Sequence, residues 1–352
     1  MKGNIIEIEE DELSTYELHT PRNIKEAVEM MSSLDEEAYY ISGGTKLIPL
    51  IGRNKIAPKH LISLKEMPDL RNIKREKGLR LGSGTTLFEV AHDEFIRRHY
   101  SALFDATHEL GPREIRKIAT LGGSICGTTP SMHLVCSLLL FDPDVAVAGM
   151  DPPTHQYGTG VQGGFLYGRF MGIDRFIVDV GQPPLKKQEF VKEFVLPPLW
   201  EKTGSAYIKV SQKKAKDLGI LAAGVRIRVS AGEGLPQSRN VFAGMGALSD
   251  IFSALESWKV KCEEVLILLG RPEEPPIRFR NAEDILKGNA VSPGIFDEVI
   301  GTVLADMAPA TGTTAEAWYR GEIAKILISR ALVKAIDRAL WPDEKIRPEN
   351  TW

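Results

Sequence analysis

Cysteine is scarce in this chain of 352 residues, which has only Cys126, Cys136 and Cys262. The number is odd, and no two of the three stand in a C-x-x-C spacing. Disulfide frameworks need paired cysteines, and self-contained zinc or iron–sulfur sites need three or four close ligands. We therefore expect buried free thiols, which pack as small apolar side chains, and no metal site.

An excess of positive charge is also missing. The 44 Lys and Arg residues are balanced by 47 Asp and Glu residues, which gives a formal net charge of −3. Binding to a phosphate backbone needs a basic patch or stripe, and no basic run supplies one. We expect no nucleic-acid partner.

Long apolar runs are absent. The most apolar stretch, Met132 to Phe141, is shorter than the roughly 20 residues that a membrane-spanning helix requires. The acidic segment Met1 to Glu12 lacks the basic-then-apolar order of a signal peptide. These features predict a cytoplasmic protein without a membrane span.

Familiar catalytic motifs are missing too. The seven histidines show no H-E-x-x-H spacing, and the chain has neither a G-x-S-x-G nucleophile elbow nor a P-loop lysine. The sequence therefore predicts no catalytic residue.

The sequence contains two Gly-Gly pairs that could bind a ligand. Gly43-Gly44-Thr45 and Gly122-Gly123-Ser124 each follow a short apolar run that we interpret as a strand. Backbone N–H groups converge on a phosphate only where no Cβ intrudes. Two such turns in one domain make a phosphate-containing ligand as good an interpretation as a pair of plain turns.

A G-x-G-x-x-G pattern over residues 158–163, with Asp179 further on, raises the alternative of a free-standing NAD-dependent dehydrogenase. The dinucleotide fingerprint requires a strand that runs directly into the first glycine. Residues 151–157 contain two prolines and break any such strand, so we expect a glycine-rich loop there.

The length predicts two or three domains, and the pattern changes near Ser205. Short strands and helices alternate before this point. After it, alternating residues predict an antiparallel sheet built from 206–210, 220–230 and 239–244, with helices following.

Ordered motifs extend along most of the chain, over about residues 15 to 340. They are residues 42–49 (SGGTKLIP), 81–87 (LGSGTTL), 113–116 (REIR), 120–126 (TLGGSIC), 205–209 (SAYIK), 276–278 (PIR) and 318–320 (WYR). In sequence and order they resemble the FAD-binding subunit of the molybdenum hydroxylases, the family of xanthine dehydrogenase and carbon monoxide dehydrogenase.

The resemblance implies an α+β protein, in which a two-subdomain FAD-binding domain of the vanillyl-alcohol-oxidase type is followed by a smaller α+β C-terminal domain. We expect an FAD-binding domain over 1–203 with subdomains of about 1–57 and 58–203, a C-terminal domain over 204–342, and a tail over 343–352.

The resemblance also implies that both Gly-Gly segments hold the pyrophosphate of a non-covalently bound FAD. The residue at Lys209 lies close to the isoalloxazine ring in the family, and the positions of Leu110 and Val191 line the flavin pocket. The full set of expected FAD-binding residues is Ile41, Ser42, Gly43, Gly44, Thr45, Lys46, Leu47, Leu110, Thr120, Gly122, Gly123, Ser124, His133, Val191, Lys209 and Asp217.

The partners follow from the resemblance as well. A small subunit would carry [2Fe-2S] clusters, a large subunit would carry molybdopterin, and NAD or another acceptor would receive the electrons. We expect this chain to be the FAD-carrying electron-transfer subunit of such a heteromeric oxidoreductase.

Three positions depart from the family pattern, which often has Asp at Lys46, Asn at Ser124 and Asp at His133. They leave open a structural subunit that keeps the fold but has lost FAD. We expect FAD binding to survive, because Lys46 adds charge attraction and His133 still forms hydrogen bonds. Residues 150–172 and 249–275 are expected to be insertions, most simply surface elaborations, with contact to a partner subunit as the alternative for either.

Overall fold

Three β-sheets with helices packed against them make up the described part of this computed structural model. The structure describes residues 16–34, 37–127, 131–150, 166–177, 183–210, 221–232, 234–236, 242, 245–271, 274–311 and 315–342.

The first sheet is parallel and has the strand order β1-β3-β2. Asn23 starts the first helix by accepting a hydrogen bond from the backbone N–H of Glu26. Ala27, Val28 and Met31 recur at helical spacing and pack against the sheet. The elements are β1 (Glu17–His19), α1 (Ile24–Ser33), β2 (Ala38–Ile41), α2 (Leu47–Ile51) and β3 (His60–Ser63).

The second sheet is antiparallel, in the order β4-β5-β8-β6-β7, and six helices lie between β5 and β6 in the chain. Thr86 and Glu89 form a reciprocal capping box that starts the first of these helices. The elements are β4 (Ile73–Lys74), β5 (Leu79–Gly82), α3 (Leu87–His92), α4 (Glu94–His99), α5 (Ser101–His108), α6 (Arg113–Ile118), α7 (Leu121–Cys126), α8 (Met132–Leu139), β6 (Asp144–Met150), β7 (Leu166–Gly172), α9 (Ile173–Phe176) and β8 (Phe190–Leu196).

The third sheet is antiparallel, in the order β12-β11-β10-β9. Its elements and the helices that follow are β9 (Thr203–Val210), β10 (Leu221–Ser230), α10 (Leu248–Ser257), β11 (Lys261–Arg271), β12 (Glu274–Arg278), α11 (Arg280–Leu286), α12 (Pro293–Thr311) and α13 (Ala315–Leu340).

Both faces of the third sheet are covered. Val225 and Ile227 on β10 lie in the core formed with α13, whereas Ala222 and Tyr207 face the core around α5 and α8. Gly224 lets α8 approach closely, because a Cβ at this position would lie 3.2 Å from Sγ of Cys136. The sheet therefore joins the C-terminal helices to the helices that follow β5.

A buried ion pair fixes this junction. Asp105 on α5 accepts hydrogen bonds from the Arg338 guanidinium at 2.7 and 2.9 Å and from the backbone N–H of Tyr207 at 3.1 Å. Burial alone would raise the pKa of Asp105, but the charges of Arg338 and Lys334 hold it below its ordinary value. Asp105 therefore links α5, β9 and α13 as a carboxylate.

The α+β class is confirmed. All three cysteines are free thiols, and Cys136 and Cys262 are buried as expected, whereas Cys126 is only half-buried. The interpretation of 249–275 as a surface insertion is wrong, because β11 is an inner strand of the third sheet and pairs with β10 along most of its length. The end of the expected insertion at 150–172 forms β7, an edge strand that pairs with β6, so its status as an insertion stays a prediction. Residues 151–165, which include the G-x-G-x-x-G pattern, lie outside the described part.

The predicted strand at 239–244 lies almost wholly outside the described residues. The proposed domain boundary at 203 and 204 falls at the start of β9, where Thr203 pairs with Arg228. The proposed subdomain division at 57 and 58 separates β3 from both of its sheet partners, so we move that proposed division to follow Ser63. No helix among the described residues is long and apolar enough to cross a bilayer.

Candidate functional site

A cavity of about 310 Å³ lies where the first and second sheets meet. Its walls include the segment after β2, the turn after β5, helix α7 and the start of β8, and apolar side chains from other parts of the chain complete them. This volume is within the range of roughly 300–1,000 Å³ that is typical of small-molecule sites.

The first glycine pair forms an open turn between β2 and α2. Gly44 has a φ of 68°, a conformation that favours glycine. Within the described part of the chain, the backbone N–H groups of Ser42, Gly43, Gly44 and Thr45 donate no hydrogen bond. These four adjacent donors belong to half-buried residues beside the cavity, so they are available to an acceptor-rich ligand.

Gly43 also sets how closely the two glycine segments approach. A Cβ on Gly43 would lie 2.0 Å from the carbonyl oxygen of Ile118, which is shorter than any non-bonded contact allows. Glycine is therefore required here for packing against the chain that leads into α7.

The second glycine pair differs from the expectation of a turn at a strand end. Gly122 and Gly123 lie in the first turn of α7, which is capped by Thr120. Their N–H groups already donate to the carbonyl of Ser83 and to the hydroxyl of Thr120. A Cβ on Gly122 would lie 2.6 Å from that of Ser83, so this pair supplies close packing rather than unpaired donors.

Lys46 connects the two segments. Its Nζ donates a hydrogen bond to the carbonyl oxygen of Ser124 at 3.1 Å, and a Cβ on Gly127 would lie 2.9 Å from its Cδ. Burial lowers the pKa of Lys46 to about 8. An anion in the cavity would restore the ordinary pKa, since a nearby negative charge favours the ammonium form.

The remaining walls are apolar or neutralised. Glu189 is buried, but the guanidinium of Arg169 holds it at 2.7 and 2.9 Å, so it presents no uncompensated negative charge. Cys126 also lines the cavity, and burial raises the pKa of its thiol to about 12. The apolar lining consists of Ile41, Leu47, Leu50, Ile56, Leu64, Leu70, Leu185, Phe190 and Val191.

A second group of predicted residues lies on α8, on β9 and after α5. Lys209 donates from Nζ to the carbonyl oxygen of Glu109 at 2.7 Å, next to Leu110. His133 is hydrogen bonded through Nδ1 to the hydroxyl of Tyr207. Burial and the charge of Lys209 lower the pKa of His133 to about 4, so the imidazole is neutral at neutral pH.

The structure brings most of the predicted site residues together. Those that line the cavity are Ile41, Ser42, Gly43, Gly44, Thr45, Lys46, Leu47, Thr120, Gly122, Gly123 and Val191. Ser124 is linked to the cavity indirectly, because its carbonyl oxygen accepts a hydrogen bond from Lys46. Leu110, His133 and Lys209 belong to the second group, and Asp217 lies outside the described residues.

Sequence reasoning missed several cavity residues. Ser83 and Gly84 directly follow β5, just as Ser42 and Gly43 directly follow β2. This repeated pattern of a strand followed by Ser-Gly could have identified them as cavity residues. Glu189 and Phe190 carry no such signal, since only the pairing of β8 with β5 and β6 places them here.

Two family models match the chain. Residues 14–156 match the FAD binding domain in molybdopterin dehydrogenase, and residues 252–335 match the CO dehydrogenase flavoprotein C-terminal domain. The fold, the cavity and these matches define a flavoprotein with an FAD-binding domain and a separate C-terminal domain.

Relatives cover nearly the whole chain. The xanthine dehydrogenase FAD-binding subunit of Escherichia coli O157:H7 is 22% identical over 324 residues, which are 91% of this chain and 96% of that protein. The carbon monoxide dehydrogenase medium chain of Afipia carboxidovorans is 23% identical over 335 residues, which are 92% of this chain and 98% of that protein.

A solved structure agrees in fold. A chain of carbon monoxide dehydrogenase from Hydrogenophaga pseudoflava matches with a TM-score of 0.71 at 22% identity, covering 92% of this chain and 98% of that one. This chain belongs to the family of FAD-binding subunits of the molybdenum hydroxylases, which are oxidoreductases.

The role of Gly43 is testable with Gly43→Ala. The added methyl must push the first glycine segment away from Ile118, so we expect a loss of roughly 1–3 kcal/mol in the free energy of unfolding and a loss of FAD content. Urea unfolding and the absorbance of the purified protein measure the two effects.

Gly301→Ala is the matched control, because a Cβ at Gly301 in α12 meets nothing within 4 Å. We expect it to leave FAD content unchanged and to stabilise the helix slightly. A Gly43→Ala protein with the stability and FAD content of the unaltered chain would contradict the close-packing argument.

Proposed function

We propose that this chain binds one FAD non-covalently in the cavity and acts as the electron-transfer subunit of a heteromeric molybdenum hydroxylase. The observation that carries the proposal is the row of four unpaired backbone N–H groups at Ser42 to Thr45, next to the cationic side chain of Lys46. Backbone donors and a cation are the groups that bind pyrophosphate.

The rest of the cavity fits the other parts of the same ligand. Apolar side chains such as Leu64, Leu70 and Phe190 offer surface for planar rings. Gly122 and Gly123 carry no side chain, so their part of the wall leaves room for the ligand. In this proposal the first glycine segment binds the pyrophosphate, and the second lets it approach.

Lys209, His133 and Leu110 are proposed to lie at the isoalloxazine end, and Asp217 is assigned there by resemblance alone. Bound FAD supplies the chemistry for one-electron and two-electron transfer. The neutral imidazole of His133 orients the Tyr207 hydroxyl, and the ammonium of Lys209, tied to Glu109, provides fixed positive charge. These residues bind and orient the cofactor rather than catalyse a bond change.

The proposed partners are a small subunit with [2Fe-2S] clusters that supplies electrons and a large subunit with molybdopterin that oxidises the substrate. NAD or another acceptor would take the electrons from this chain, in the cytoplasm. The relatives named xanthine dehydrogenase subunit and carbon monoxide dehydrogenase medium chain support this assignment.

The alternative is a structural subunit that has lost FAD, for which Lys46, Ser124 and His133 were the reasons. In the structure Lys46 lines the cavity beside the first glycine segment, so this departure places a cation where an anionic ligand would bind, which favours retention. The test is the absorption spectrum of the purified chain, with the released cofactor identified after heat denaturation. We expect close to one FAD per chain; a colourless protein that also fails to bind added FAD would overturn the proposal.

Lys46 gives the FAD affinity a pH dependence. Its pKa of about 8 in the absence of an anion means that the amine is charged below pH 8 and loses its proton above it. Binding a pyrophosphate above this pH requires proton uptake, so we expect the dissociation constant for FAD to rise by up to about tenfold per pH unit. Flavin fluorescence titrations from about pH 6.5 to about pH 9.5 measure it.

Two variants isolate this effect. Lys46→Arg keeps its charge throughout and is expected to remove the pH dependence, whereas Lys46→Met is expected to weaken binding at least roughly tenfold at neutral pH, because a charged hydrogen-bond donor is lost. The same affinity and pH profile in all three proteins would show that Lys46 does not face the pyrophosphate. Unchanged FAD content in both Lys46→Ala and His133→Ala would likewise exclude the proposed roles of both residues.

A further inference from the structure

Two histidines and a glutamate converge at the edge of the first sheet, in a place that the FAD site does not use. Glu17 and His19 are two residues apart on β1 and therefore point to the same face. His60 on β3 is the register partner of Glu17 and shares that face.

Their ligand atoms lie close together. Nε2 of His19 is 3.2 Å from Nδ1 of His60, and Oε2 of Glu17 is 3.6 Å from His60 and 4.0 Å from His19. Two nitrogen ligands at about 2.0–2.1 Å from a tetrahedral zinc ion are about 3.3–3.4 Å apart. The two nitrogens are therefore already at the spacing of zinc ligands, and the carboxylate oxygen must move closer to His60 by roughly 0.3 Å and to His19 by roughly 0.7 Å to enclose an ion.

A hydrogen bond between the imidazole rings explains why His19 and His60 lie close together. It does not explain why the Glu17 carboxylate lies near the same two nitrogens. Among the residues that the structure describes, no other three potential ligands of this kind converge. The side chains of His19 and His60 are 20% and 22% exposed, and that of Glu17 is 68% exposed. The rings are thus confined, while solvent can supply a fourth ligand.

We propose that Glu17, His19 and His60 bind one divalent transition-metal ion, with zinc as the best match. Two imidazole nitrogens and one carboxylate oxygen are ordinary zinc ligands, and water completes a tetrahedral set. The ion ties the three-residue edge strand β1 to β3 across 41 residues of chain, and a clip that closes a long loop stabilises the fold. The sequence predicts no metal site because only cysteine ligands and ligands within one short motif are recognised from their spacing, whereas these three residues come from two separate strands.

The experiment uses the untagged full-length chain, freed of metal by a chelator and reloaded with FAD. Zinc is titrated in competition with a chromophoric chelator, and cobalt replaces zinc to report the coordination geometry. The variants are Glu17→Gln, His19→Gln and His60→Gln. His99→Gln is the matched control, since His99 is an exposed histidine at the end of α4.

We expect one zinc ion per chain, the intense cobalt absorption of a tetrahedral site, and a melting temperature that zinc raises. Each ligand variant should bind zinc at least about tenfold more weakly and lose the zinc-dependent rise in melting temperature, while His99→Gln behaves as the unaltered chain does. The metal-free variants should keep the FAD content and melting temperature of the metal-free parent.

Absence of stoichiometric zinc binding would overturn the proposal, and so would binding that survives His19→Gln and His60→Gln. Zinc held equally well by Glu17→Gln would overturn the three-ligand site. None of these outcomes depends on whether FAD is bound, so the proposal stands apart from the assigned flavin function.

Discussion

The close approach of Gly43 to the carbonyl oxygen of Ile118 is the contact on which the site depends. A Cβ at Gly43 would lie 2.0 Å from that oxygen, so no other residue permits this geometry without moving the backbone. The contact brings the chain after β2, which belongs to the first sheet, against the chain that enters α7. Both segments line the cavity, and Gly43 and Gly122 allow their backbones to approach neighbouring chain closely.

The two glycine pairs have different tasks. The first has unpaired N–H groups and a residue with positive φ, so it can surround an anion. The second has its N–H groups bonded within the protein and contributes the absence of side chains. Lys46 joins them through Ser124 and brings a charge that burial makes sensitive to pH. In the proposed FAD complex, the first glycine segment and Lys46 supply the groups that bind the ligand, and the second segment supplies the space for it.

Part of the cavity was predictable from the sequence, because many of its residues lie in short contiguous motifs, such as 42–47 and 120–123. What could not be predicted depends on long-range strand pairing. Residues 249–275 depart from the family pattern and therefore suggest an insertion, whereas the pairing with β10 identifies β11 as an inner strand. The Glu17, His19 and His60 cluster was hidden for the same reason, because the register of β1 with β3 brings it together.

Hydrogen exchange of the backbone amides, compared between the FAD-loaded chain and the chain stripped of flavin, tests the central claim most directly. The unpaired amides of 42–45 exchange rapidly if they lack a partner, and a pyrophosphate would slow them. The account predicts strong FAD-dependent protection at 42–45, with a smaller change at 122 and 123, where the amides are already bonded. Protection confined to other segments, with 42–45 unchanged, would contradict it.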